Sequence, residues 1–459
     1  MDRPKEKQMK CKMLIGIAAL SALLRFQAQA QSAADLTVLQ GLAPVTVLMN
    51  SDEGKAALGA NYRVTGGIQT GSLAQPTLLP FVEQQRQALQ DAFIASGNLA
   101  QFSDGLGTTL GAAYLARYHY NSTKDYTKLP PALDQLVHYA DAISGAHSNA
   151  GKYLFGNATT NGTTPVSAEA AAMLEKIGGK KDIFGQAYNL PAGTNGAGPY
   201  GDSRPFQTEA SVTWFTGRDY LNSRSDNYVY NYGPAMNLTK SPSYPSGHTT
   251  YGYTGSLLLA ILVPQRYAQM IARGAEYGND RIIVGAHYAM DVLGGRTLAL
   301  YDMAHLLAND PAYMGLSVRG ASPIKDFQDA VSHARAELDS ILQAGCGNTL
   351  EICAKEDTGR FNNDAENQVF YDSTQTYALP VVYAKTTSQP EDVKQLAPEA
   401  GYLLTAAFPS LTLDQADKIL TETEGPGGGF LDDGSPFGVY SRLNLYAAAL
   451  RAETTVPTR

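Results

Sequence analysis

Cysteine is scarce in this 459-residue chain, with three in all, and a cysteine-rich disulfide scaffold is excluded. Cys11 lies in the N-terminal leader, with no lipobox of small residues before it, which leaves Cys346 and Cys353. They close the short loop G-C-G-N-T-L-E-I-C, most simply as a disulfide. Half of a zinc site is the competing reading, but no His or Cys lies nearby to complete four ligands. Basic charge is also in deficit: the formal net charge is -8, so a broad surface for nucleic acid or anionic membrane is excluded and any anion site must be local. Fixed-period repeats are absent, strand-like alternation is rare, and nothing calls for a metal or cofactor. Beyond residue 30 no apolar stretch approaches the ~20 residues of a spanning helix.

The first 30 residues are different. Arg3, Lys5, Lys7, Lys10 and Lys12 precede an apolar run from Met13 to Leu24, followed by Ala28-Gln29-Ala30. This pattern reads as a secretory signal cleaved before Gln31. The run is short for a membrane anchor, so the mature chain is expected to be periplasmic or secreted and not inserted in a membrane.

With 44% hydrophobic and 17% charged residues, the remainder has ample material for a globular core. Residues 31–79 show no sustained period. Helical patterns then cover Leu79 to Ala95, Leu99 to Tyr118 and Pro131 to Ala146. Gly156 to Pro165 and Leu190 to Arg204 read as surface loops. From Ser246 the pattern is helical again, over Gly255 to Leu262, Gln265 to Tyr277 and Arg281 to Leu307. Beyond Pro311 the chain reads as separable: a helix from Ile324 to Gln343, the cysteine loop, a polar linker from Glu356 to Glu366, a helix opened by the capping box Thr412-Leu413-Asp414-Gln415, a break at Gly425 to Gly429 and a final helix near Asn444 to Arg451. The expected division is a signal at 1–30, an N-terminal extension at 31–79, an all-α helical domain at 80–310 and a C-terminal extension at 311–459.

Three stretches hold residues suited to chemistry on phosphate: Ser203-Arg204-Pro205, Pro245-Ser246-Gly247-His248, and Arg281-I-I-V-G-A-His287-Y-A-M-Asp291. On one helix, His287 and Asp291 would share a face, so the carboxylate would orient the ring and leave the other nitrogen as nucleophile. Arg281 would sit at that helix's start or in its entry loop. Arg204 and Arg281 would clamp phosphoryl oxygens. Ser246 and the Gly247 N–H would add donors at a helix N-terminus, and His248 would serve as acid to the leaving group and then as base to water.

In order and spacing these motifs resemble the type 2 phosphatidic acid phosphatase superfamily (K-x6-R-P, P-S-G-H, S-R-x5-H-x3-D), which includes the vanadium haloperoxidases. Within it, S-Y-P-S-G-H-T-T-Y-G at 243–252, V-P-Q-R at 263–266 and the run from Arg273 to Asp291 are most similar to bacterial class A non-specific acid phosphatases. The resemblance implies a helical bundle of the acid phosphatase/haloperoxidase type with extensions at both ends. It also implies an acid phosphatase acting on small phosphate monoesters, with His287 as nucleophile, His248 as acid, Asp291 as orienter, and Arg204, Ser246, Gly247 and Arg281 binding phosphate. Two positions depart from the pattern: the family's lysine is Ala197, and the serine before the second arginine is Asp280. Lys180, Lys181 and Lys240 are candidates to replace the lost ammonium; the alternative is a pocket that works with its two arginines. Tyr228-Val229-Tyr230-Asn231-Tyr232 is a candidate cleft wall, although packing is the commoner use of such aromatics. The competing functions are a haloperoxidase holding vanadate in the same pocket and a non-catalytic phosphate-binding protein.

Overall fold

The computed structural model describes residues 33–73, 77–227 and 238–455. The leader and the Tyr228 to Tyr232 segment lie outside these. The described chain is all-α apart from a single antiparallel pair, β1 (Thr216–Arg218) with β2 (Arg224–Asp226).

Residues 31–79 were expected to lack a period, yet they form α1 (Ala33–Leu42), a 3-10 segment (Ala43–Asn50) and α2 (Asp52–Thr70). The caps of α2 are orthodox: Ser51 Oγ accepts from the Gly54 N–H, and Gly71 closes the helix at φ +70°. Its interior defeats periodicity, because glycines stand where a side chain would collide. A Cβ on Gly54 would lie 2.1 Å from the Leu48 carbonyl oxygen, and one on Gly66 would lie 2.5 Å from Ser211 Oγ. Close packing outweighs the weak helical propensity of glycine there.

Next come α3 (Phe81–Asp91), a 3-10 segment (Ala100–Leu106), α4 (Thr108–Leu115) and α5 (Pro131–Asn157). The single helix expected from Leu99 to Tyr118 is interrupted at Gly107, whose φ of +91° breaks the register. The helix expected to end at Ala146 instead continues to Asn157. Three short helices follow, α6 (Ala168–Lys176), α7 (Ile183–Ala187) and α8 (Pro205–Thr208).

At the centre lies α9 (Gly247–Leu262), buried at every position from His248 onward. A helix buried around its whole circumference must be wrapped by others, and α9 packs against α5, α10 (Tyr267–Ile283) and α11 (Ala289–Leu307). Gly295 allows α11 to cross closely: a Cβ there would meet the Ser246 carbonyl oxygen at 2.5 Å.

The tail expected to be separable shares this core. Its α12 (Phe327–Cys346) packs on α5, and Cys346 and Cys353 form a disulfide between α12 and α13 (Leu350–Lys355). Before α14 (Asp364–Thr376), the supposed polar linker holds buried Phe361 and partly buried Arg360. Arg360 donates to Asp104 Oδ2 at 2.6 Å and Glu276 Oε2 at 2.7 Å. Arg296 of α11 donates to the carbonyls of Thr374, Gln375 and Ser441. The reason is energetic: a buried guanidinium needs acceptors, and the terminal carbonyls of α14 are otherwise unpaired. The capping box at Thr412 opens the helix Leu413–Glu422, and the last helix runs from Leu445 to Thr455.

His147 on α5 ties the start of the described chain to α11. Its Nε2 lies 2.9 Å from Asp35 Oδ1 and its Nδ1 2.9 Å from Asp302 Oδ1. Burial opposes the charge, but the carboxylates of Asp302 and Asp35 prevail and push the ring up to about 10. A folded value above the ordinary 6.5 gives stability that is complete below 6.5 and lost as pH rises through 10. His147→Ala should therefore cost about 3–5 kcal/mol at pH 6, because Asp302 is left buried and unpaired. Urea denaturation at pH 6 and pH 10 should show the difference from wild type shrinking at the higher pH; an equal difference at both would mean the ring is not charged.

Candidate active site

Arg204, Ser246, Gly247, His248, Arg281, His287 and Asp291 converge at the N-terminal end of α9. The arrangement is set by where helices stop. The helix expected from Arg281 to Leu307 is interrupted: α10 ends at Ile283 and Gly285 takes φ +74°. The Gly285 N–H bonds back to the Ile282 carbonyl, and the N–H groups of Ala286 and His287 both bond to the Arg281 carbonyl. This is a glycine-terminated helix end. Arg281 thus lies in the last turn of α10, and His287 in the short connection before α11.

His287 and Asp291 therefore meet without sharing a helix. Asp291 is the third residue of α11, and its side chain bonds back to the N–H of the cap residue, Tyr288, at 2.8 Å. The same oxygen, Oδ2, lies 3.1 Å from His287 Nδ1 and accepts from Ser243 Oγ. Burial drives Asp291 up to about 7, against the pull of Ser243, the Tyr288 N–H and Arg204.

The tautomer of His287 follows from its other partner. Arg204 Nη1 lies 2.8 Å from His287 Nε2, and a guanidinium has donors only. Nε2 must then accept, so the proton sits on Nδ1 and is donated to Asp291. Burial first, then Arg204, Lys152, Arg281 and His248, hold this ring well below the ordinary histidine range. Neutral, it carries a lone pair on Nε2 directed at the arginine.

Arg204 itself is fully buried. Its other donors reach the carbonyls of Ser241 at 2.9 Å, Ala286 at 3.0 Å and Pro242 at 3.2 Å. The loop Leu190 to Arg204, expected at the surface, is exposed only over its first part; residues 201–204 are buried. His248 lies opposite, bonded to the Ala92 carbonyl, which also accepts from Arg281 Nη1 at 3.4 Å. Burial, Arg281, Lys152 and Arg204 depress His248 as well. Ser246 caps α9, its Oγ accepting from the Thr249 N–H at 3.2 Å, and its own N–H donates to the Asp291 carbonyl.

The three lysines offered as replacements for the missing cation, Lys180, Lys181 and Lys240, are all exposed and do not enter this group. Lys152 of α5 does. It is buried, its Nζ lies 3.5 Å from the Pro242 carbonyl, and its field reaches Arg204, Asp291 and Arg281. No motif marks it; the available signal was a lysine on the apolar side of a helical pattern that continues past Ala146. Among the described residues, no cluster of three or more His, Cys, Asp or Glu side chains is arranged to hold a metal ion.

Residues 200–308 match the PAP2 superfamily. The chain carries a PAP2 superfamily domain. It is similar to an acid phosphatase of Zymomonas mobilis subsp. mobilis, 45% identical over 69 residues, which are 15% of this chain and 26% of that protein. A non-specific acid phosphatase of Salmonella typhimurium is 44% identical over 102 residues, 22% of this chain and 35% of that protein. One from Providencia stuartii is 39% identical over 72 residues, 16% of this chain and 29% of that protein. The chain thus spans about a quarter to a third of the length of the curated relatives it matches. The PAP2 domain holds every motif residue of the site, while Lys152 and Ala92 lie outside the matched span.

Gly285 sets the direction in which the chain leaves α10 towards His287, and a Cβ there would also meet Val212 Cγ1 at 3.0 Å. Gly285→Ala should cost about 1–2 kcal/mol for the left-handed backbone, plus the contact. Gly315→Ala, at φ +70° with nothing within 4 Å, gives the conformational cost alone. Chemical denaturation should show the Gly285 variant to be the less stable of the two; equal stability would mean that Val212 yields freely.

Proposed function

We propose that this chain is an exported acid phosphatase that hydrolyses phosphate monoesters through a phosphohistidine on His287. The observation that carries the reading is the hydrogen-bond chain Arg204 to His287 Nε2 and His287 Nδ1 to Asp291, a neutral nucleophile aimed at a cation that binds phosphate. The similarity to acid phosphatases supports the reaction class. The leader pattern supports export, and so does the disulfide.

In the first step the Nε2 lone pair attacks phosphorus and the P–O ester bond breaks, while the His248 ring gives its proton to the leaving oxygen. Arg204 exchanges its bond to Nε2 for phosphoryl oxygens, and Asp291 stabilises the ring as it becomes positive. In the second step water attacks phosphorus, His248 takes a proton back, the P–N bond breaks and inorganic phosphate leaves.

His287→Ala should lower kcat on the order of 10⁴-fold or more. Acid quench of the wild type with labelled aryl phosphate should trap phosphohistidine, and turnover should survive a chelator. Vanadate should compete with substrate more tightly than phosphate does, as a trigonal bipyramidal analogue. Full activity in the His287 variant would remove the nucleophile from this scheme, and turnover only with vanadate, peroxide and halide would replace the reaction.

The pH dependence has a definite sign. His248 is held low by burial, by Arg281 on α10, by Lys152 on α5 and by Arg204, with the Ala92 carbonyl acting the other way. Its acid form in the free protein becomes abundant only below the ordinary histidine range, so kcat/KM should fall as pH rises, with the alkaline limb below 6.5. A limb centred above 7 would show that another group donates the proton.

A further inference from the structure

Helix α5 enters the phosphate pocket from outside the three motifs. Lys152 and Ser148 stand four residues apart on one face of it, against the backbone of Gly247. A Cβ on Gly247 would lie 3.3 Å from Ser148 Oγ and 3.5 Å from Lys152 Cε, so both side chains reach the start of α9. Both side chains are buried, Ser148 to 2% and Lys152 to 8% exposure.

Each has unmet capacity. Among the described residues Ser148 Oγ has no hydrogen-bond partner, although a buried hydroxyl ordinarily has one. The ammonium of Lys152 has the Pro242 carbonyl at 3.5 Å, a marginal bond for a buried charge. Asp291, the carboxylate whose field reaches it, is already engaged with His287, Ser243 and the Tyr288 N–H. Among the described residues, the charged groups that act most on Lys152 are the Arg204 and Arg281 guanidinium groups and the Asp291 carboxyl. Burial and the two guanidinium groups push the Lys152 ammonium down; an entering dianion would reverse that balance.

We propose that Lys152 and Ser148 form a third arm of the phosphate site, the ammonium on a non-bridging phosphoryl oxygen and the hydroxyl donating beside it. The arm supplies from α5 the charge that the motif position at Ala197 lacks. With an ammonium gathered beside two guanidinium groups, the site favours the dianion of a phosphate monoester over a singly charged diester. The inference rests on the phosphatase reading for its catalytic consequence, while anion binding stands apart from turnover.

The test uses the full chain, with Lys152→Met and Ser148→Ala beside wild type. An aryl phosphate reports kcat/KM, and inorganic phosphate reports binding through inhibition and through its shift of Tm. Lys152→Met should lose on the order of 10²-fold in kcat/KM, as for one transition-state donor, and lose the Tm rise given by phosphate. Its Tm without phosphate should stay level or rise, because an apolar side chain replaces a buried charge. Ser148→Ala, which disturbs no charge, should weaken phosphate inhibition on the order of 10-fold. Wild-type behaviour in both variants, or a lower Tm with unchanged kcat/KM, would overturn the arm and leave the phosphatase reading intact. A wild type that is stabilised by phosphate through Lys152 but does not turn over would keep the arm and sink the hydrolase. No effect of phosphate on wild type would remove both.

Discussion

Positive charge held out of water is what the rest of this structure has to accommodate. Arg204 and Arg281 are wholly buried and Lys152 nearly so, and each would cost several kcal/mol to desolvate without partners. The surroundings answer with backbone carbonyls. Ser241, Pro242, Ala286 and Ala92 all present oxygens to these cations. Carbonyl dipoles solvate a cation without cancelling it, so the net charge remains available to an anion.

That solution requires chain ends rather than chain middles, since carbonyls inside a helix are already bonded. The pocket is accordingly built from termini: the end of α3 at Ala92, the loop before α9, the glycine-terminated end of α10 and the start of α11. Helix α9 contributes its N-terminus, where amides and not carbonyls face the pocket. The amide donors and the carbonyls that solvate the cations thus come from opposite ends of different helices. The histidine dyad sits where the two meet.

This explains what the amino-acid order disclosed and what it concealed. The seven motif residues could be singled out because their types and order suit chemistry on phosphate, and the fold does bring them together; the helical class was legible from apolar periodicity. The local geometry was less so. His287 and Asp291 invite placement on one helix at i, i+4, yet Gly285 ends α10 first and the pair meets through the first turn of α11. The same glycine carried the information, as a helix stop followed by a new cap. Residues 33–70 were opaque for another reason: close contacts at Gly54 and Gly66 fix those helices, and propensity cannot report a tertiary contact. Lys152 was hidden because a lone lysine on a helix is ordinarily a solvated one; its burial against the start of α9 shows otherwise.

Asp280, the second departure from the family pattern, bears on whether the pocket keeps its charge. An ionised carboxylate next in sequence to Arg281 would offset much of that guanidinium's field. The helix turns Asp280 away, towards α3, where Gln84 Nε2 donates to its Oδ1 at 2.9 Å and to Glu276 Oε1 at 3.2 Å. Burial, together with Asp91 and Glu276, pushes Asp280 well above the ordinary carboxylate range. Glu276 and Asp91 are meanwhile matched by cations, Arg273 on Asp91 at 2.6 Å and Arg360 from the tail on Glu276 at 2.7 Å. Turned towards Gln84, with its carboxyl pushed towards the uncharged form, Asp280 subtracts less from the field of Arg281 than an ordinary carboxylate would. The C-terminal tail takes part in that balance, because Arg360 pairs with Glu276, one of the carboxylates that act on Asp280.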